Sequence, residues 1–171
     1  INTANTITFN NILEGAASGN GSIASTASSL VFGNTVGATN ALNSISSGVT
    51  SINTTAVRTS GAQTYGALSL GANATLASLS SGAMSFASIN GANTLTVNTA
   101  GATVFGGIIG GTTALTSLTT DAAGTLSISG DVSTTGAQSY GDALTLTGNA
   151  ILASSGNGAI SFASIDGART L

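Results

Sequence analysis

The amino-acid sequence predicts an all-β fold: a right-handed parallel β-solenoid (β-helix) of about nine rungs, each of ~19 residues, four to a ~76-residue superrepeat. Three observations lead there. Long segments recur along the chain, glycines fall at a near-constant interval, and short stretches alternate polar with apolar residues while no helical period is sustained.

The long repeat is read from matched segments. Gly61-Ala62-Gln63-Thr64-Tyr65-Gly66 returns as Gly136-Ala137-Gln138-Ser139-Tyr140-Gly141, an offset of 75. Ser85-Phe86-Ala87-Ser88-Ile89-Asn90-Gly91-Ala92 returns as Ser161-Phe162-Ala163-Ser164-Ile165-Asp166-Gly167-Ala168, an offset of 76, and Asp142 is the extra residue between the two. Upstream, Val31-Phe32-Gly33 matches Val104-Phe105-Gly106 at an offset of 73. The finer period comes from Gly15, Gly37, Gly71, Gly91, Gly110, Gly130, Gly148 and Gly167, which span 152 residues, or eight intervals of 19 with one member missing near Asn53.

Taken in chain order, Thr6–Phe9, Thr94–Val97, Thr125–Ile128 and Leu144–Thr147 read as strands with one face inward. Their β-branched residues suit a pleated surface. Asn20-Gly21, Asn90-Gly91 and Asp166-Gly167 supply turns that need positive φ. Such dipeptides also mark hairpins. A hairpin meander, however, has no reason to return to one residue type at a fixed interval, whereas a coil does. Nine rungs at ~4.8 Å would form a rod of roughly 40 Å.

Core size fits this geometry. Ile, Leu, Val and Phe total 40 residues, enough for a thin core completed by inward Ala, Ser and Thr. A single rung buries too little to offset its ordering entropy, so rungs must stabilise one another by stacking. No proline interrupts the ladder of N–H donors. The sequence therefore reads as one continuous solenoid over 1–171, expected to be part of a longer chain because Leu171 falls where the earlier copy, at Leu95, runs on.

Composition limits the chemistry. Gly, Ala, Thr, Ser and Asn account for 119 of 171 positions, and seven residues carry charge: Glu14, Arg58, Asp121, Asp131, Asp142, Asp166 and Arg169. The sequence holds no His, Cys, Lys, Trp or Pro. That removes thiolate and imidazole catalysis, the common zinc and haem ligands, and any disulfide. Two arginines cannot neutralise a run of phosphates, so no nucleic-acid partner is expected. A mean hydropathy of +0.43 with few charges argues against disorder. No window reaches the ~18–20 apolar residues of a membrane-spanning helix, and no signal peptide is expected at Ile1, where Met, a basic segment and a hydrophobic core are missing.

Individual residues are weighed against plain structural roles. Asp121, Asp131 and Asp142, at spacings of 10 and 11, raise the question of calcium, but the nine-residue Gly/Asp pattern is missing and they read as solvated turn aspartates. Thr6/Thr8, Thr94/Thr96 and Thr145/Thr147 would be needed on one flat face to bind ice, yet they do not recur in every rung. Tyr65 and Tyr140 offer sugar-stacking platforms, with packing between rungs the favoured role. Gly106-Gly107 and Gly110-Gly111 are corners, since no Lys follows to make a phosphate loop. A β-helix polysaccharide lyase would need clustered carboxylates plus Arg or Lys in a groove, whereas the acids here are scattered and Lys is absent. No catalytic, cofactor-binding or metal residue is assigned, and no cofactor.

The ~19-residue rung, the Gly/Ala/Ser/Thr/Asn bias and the Gly-Ala-Gln-Thr/Ser-Tyr-Gly unit resemble the shaft repeats of filamentous-haemagglutinin-like proteins, large repeat-containing bacterial surface proteins. The resemblance implies a secreted, non-enzymatic shaft, either adhesin stalk or matrix fibre, at the bacterial cell surface. Its expected partners are neighbouring repeats of the same protein and a host or neighbouring cell. The alternative is a subunit that self-assembles into extracellular filaments. A closed outer-membrane barrel is a third reading, weakened by the missing aromatic girdles.

Overall fold

The computed structural model describes residues 5–171, which leaves Ile1 outside the described residues. The chain winds as a parallel β-solenoid of about eight turns, ~21 residues apart. Among the described residues it carries sixteen strands in chain order, and the named strand pairs are all parallel.

Each turn passes three faces. The first face takes β2 (Ser22–Ser25), the leading halves of β4 (Ser44–Ile52), β6 (Gln63–Leu70) and β8 (Met84–Asn90), then β10 (Ala102–Phe105) and β12 (Thr125–Ile128). It ends in the trailing halves of β14 (Gln138–Leu146) and β16 (Ile160–Asp166). The second face holds β1 (Thr6–Phe9), β3 (Ser29–Phe32), the trailing halves of β4, β6 and β8, then β13 (Val132–Thr134) and β15 (Leu152–Ser154). The third holds β5 (Ala56–Thr59), β7 (Ala74–Ser78), β9 (Thr94–Asn98), β11 (Ser117–Thr120) and the leading halves of β14 and β16.

Three inward ladders fill the core. On the second face Ile7, Leu30, Thr50, Leu68, Ile89, Ile109, Val132 and Leu152 stack in register. The third-face ladder runs Leu13, Val36, Val57, Leu76, Val97, Thr120, Tyr140, Phe162. On the first face Ile23, Ile45, Gln63, Met84, Thr103, Leu126, Leu144 and Ile165 align. The middle members are buried and the end members are partly exposed, which is what a stacked rod requires.

The ladders correct the expected rung length. Successive partners lie 18 to 23 residues apart, as in Ile45 to Gln63 and Ile7 to Leu30, so eight turns replace nine. The glycine series misled because any corner accepts a glycine. Gly15 and Gly37 follow the third face, Gly71, Gly91 and Gly110 the second, and Gly130, Gly148 and Gly167 the first. The series slips back one face at a time against the ~21-residue turn. At the corner that lacks glycine stands Asn53, and a Cβ on Gly71 one turn on would collide with its side-chain oxygen.

The superrepeat is not four turns. Tyr65 lies on the first face and Tyr140 on the third, eleven strand positions later rather than twelve. Phe32 on the second face and Phe105 on the first show the same displacement. One superrepeat is three and two-thirds turns, so the second copy is rotated by one face.

Candidate functional site

The carboxylates act as inter-turn staples. Glu14 accepts the backbone N–H of Thr39 at 3.1 Å and of Asn40 at 2.7 Å, Asp131 accepts that of Ile151 at 2.8 Å, and Asp121 accepts that of Thr99 at 3.2 Å. Asparagines do the same work: Asn73 receives Thr94 N–H at 2.9 Å, and Asn90 receives Thr112 at 2.8 Å. Charged hydrogen bonds of this kind are stronger than neutral ones. The N–H groups held in this way belong to neighbouring turns.

The solvated-turn reading is corrected for Asp142, whereas Asp121 and Asp131 are partly exposed corner residues. Asp121 and Asp142 are one turn apart, not two unrelated turn residues, and Asp131 lies away from them on the run into the second face. Asp142 is 1 % exposed. Its Oδ1 accepts Gly124 N–H at 2.8 Å, while its Oδ2 and the Thr120 hydroxyl are both buried without a hydrogen bond. Burial, with a smaller push from Asp121, holds the carboxyl above the ordinary 3.8, against the opposing pull of the Gly124 hydrogen bond and of the neighbouring Thr120 hydroxyl. The Thr103 hydroxyl is the other buried group without a partner, and it stands between Met84 and Leu126 in the first-face ladder.

Both tyrosines belong to the core. The Tyr65 hydroxyl donates to Gln63 Oε1 at 2.9 Å, and Gln63 Nε2 donates to Ala77 O at 2.9 Å and Thr59 Oγ1 at 3.1 Å. Tyr140, Gln138, Ala153 and Thr134 repeat the arrangement at 2.8, 2.9 and 3.2 Å. Burial pushes both phenols up from their ordinary value. Neither ring is available to stack on a sugar.

The threonine pairs fall on three different faces: Thr6/Thr8 on the second, Thr94/Thr96 on the third and Thr145/Thr147 on the first. No single Thr-x-Thr array results. The third face does carry a groove of about 390 Å³, lined among others by Arg58, Ala77, Leu79, Asn98, Thr99 and Asp121. Arg58, Ala77 and Asn98 stand in one axial row, so the small alanine makes the dip between two longer polar side chains. Such a groove offers hydrogen bonds from its Asn, Thr and Asp side chains. Among the described residues no three His, Cys, Asp or Glu side chains converge as metal ligands, and no helix is long and apolar enough to cross a membrane.

The three continuous ladders and the repeated Gln–Tyr corner define the class: this is a β-helix repeat protein. No family model, no curated protein and no solved structure matches the chain.

Proposed function

We propose that the chain is a non-enzymatic shaft segment of a large secreted or cell-surface bacterial protein, an adhesin stalk or matrix fibre of the filamentous-haemagglutinin-like kind. The observation that carries this reading is the unbroken stack on all three faces, eight residues to a ladder. Load along the axis is shared by the stacked backbone hydrogen bonds and by the side-chain staples at Glu14, Asn73, Asn90 and Asp131. A net charge of −3 lets long rods lie side by side without strong repulsion. Immunogold microscopy of intact source cells, with an antibody against this chain, tests the location. Label standing off the envelope is the expected result; label confined to the cytoplasm would overturn the proposal.

A second reading, self-assembly into filaments, draws on one feature. Val49, Ile108 and Ile151, 45, 51 and 66 % exposed, all stand at the corner between the first and second faces. Small-angle scattering over a concentration series separates the two readings. A rod of constant length near ~34 Å, seven spacings of ~4.8 Å, favours the shaft; growth with concentration favours the filament.

A further inference from the structure

The second copy of the repeat differs from the first at one corner. In the first, Ser47 and Val49 flank a single glycine, and in the next turn Tyr65 and Ala67 also flank one. In the second, four residues (121–124) separate Thr120 from Thr125, and Gly141-Asp142 separates Tyr140 from Ala143. The two insertions lie in adjacent turns and answer each other. The longer corner presents Gly124 N–H, and the added Asp142 receives it at 2.8 Å. The register of β14 against β16 shifts at the same place.

Asp142 completes this corner at a cost. Its carboxyl is 1 % exposed and only one of its oxygens has a partner. Asp121, on the neighbouring corner, is the charged group acting on it. Its own strand adds the Tyr140 phenol, already bonded to Gln138. The corner 99–101 and β12 add no charged side chain, and β16 carries Asp166 beside Thr145, three residues further along. A buried anion beside a second carboxylate, with no cation acting on it, is strongly disfavoured. One proton resolves the arrangement. Oδ1 continues to accept Gly124 N–H, while Oδ2 becomes a donor facing the otherwise unpartnered Thr120 hydroxyl.

We propose that Asp142 is a proton-operated clasp: it holds its proton in the closed corner, and residues 121–124 loosen when that proton is lost. The sign follows from linkage. A carboxyl that binds its proton more tightly when folded adds stability in full below the unfolded value of about 3.9, and that stability is lost as pH rises through the folded value. The clasp is therefore tighter in acid, opposite to the usual behaviour of salt-bridged carboxylates. It stands on this corner alone and does not depend on the proposed shaft function.

The test is carboxyl-carbon NMR titration of the 171-residue chain from about pH 3 to about pH 8, with amide exchange at Gly124 followed in parallel. Asp142 is expected to titrate above the ordinary 3.8. Gly124 protection, corrected for intrinsic exchange, should fall about tenfold from acid to neutral pH. Asp142→Asn, which keeps an acceptor for Gly124 and a donor for Thr120, should hold that protection constant. Titration of Asp142 at or below 3.8, protection independent of pH in the unaltered chain, or the same pH dependence in Asp142→Asn would each overturn the clasp. If Asp142→Asn does not fold, the titration of the unaltered chain decides by itself.

Discussion

The segments around Tyr65 and Tyr140 are nearly identical in sequence, yet they occupy different faces of the rod. Their hydrogen bonds are the same to within 0.1 Å at Ala77/Ala153, Thr59/Thr134 and the tyrosine hydroxyl. The corner is thus a local structure that travels with its residues. Surroundings differ because the second copy is turned by one face. That turn brings Phe105, from the second copy, onto the face that already holds Tyr65 and Phe86. The result is a three-ring stack with centroids 5.6 Å apart at each step. Among the described rings Tyr140 stacks on Phe162 alone, at 5.3 Å, near the exposed end. Four whole turns per copy would have put Phe105 on another face and left Phe86 without its upper neighbour.

Breaking the stack should produce the largest effect. Phe86→Ala removes a ring held between two others and should cost about 3–5 kcal/mol; Phe162→Ala, at a partly exposed site, should cost clearly less. Denaturation followed by circular dichroism measures both, and equal losses would refute the special place of the junction. Next come the buried glutamines. Gln63→Ala and Gln138→Ala each strand several buried polar groups at about 1–3 kcal/mol apiece. The two losses should be alike because the bonds are alike. A large disparity would mean the corner depends on its face.

A size exchange sharpens the same comparison. The first copy stacks Asn53 against Gly71, while the second has Ser129 and Thr147 at the matching positions, with the Thr147 hydroxyl donating to Ile128 O at 3.2 Å. Gly71→Thr should cost about 1–3 kcal/mol by overpacking, and adding Asn53→Ser should restore most of it. Failure of the double variant to recover would show that the clash is with the backbone.

The smallest effect separates two carboxylates with opposite pH behaviour. Backbone N–H groups of Asn40, then Thr39, hold Glu14 below the ordinary 4.5. Its contribution is present above the unfolded value of about 4.3 and is lost as pH falls through the folded one. Glu14→Gln should therefore lower the melting temperature slightly at neutral pH and not at all in strong acid. A uniform decrease across pH would assign the loss to packing instead.

Much of this architecture was legible in the residues. Alternation marked Thr6–Phe9, Thr94–Val97, Thr125–Ile128 and the end of β14 as strands, and all four are strands. Gly21, Gly91 and Gly167 take positive φ, as their turn dipeptides required. The recurrence of long segments pointed to a coil, and the coil is there. The Asp121–Asp142 pair was not legible, because they are separated by one turn only when a turn is ~21 residues long. The groove row at Arg58, Ala77 and Asn98 was hidden for the same reason.

Four strands, their alternating faces and the turns at Gly21, Gly91 and Gly167 were settled by the sequence alone, since they depend on neighbours within a few positions. Turn length, the number of turns and the one-face rotation between copies were decided only in three dimensions. Each turn is the sum of three faces and three corners, and the corners differ in length, from the single Gly48 to four residues at 121–124 and five at 79–83. Closure fixes only the total, through stacking of the ladders on the turn before. Glycine spacing records where corners fall, not when the chain has come full circle.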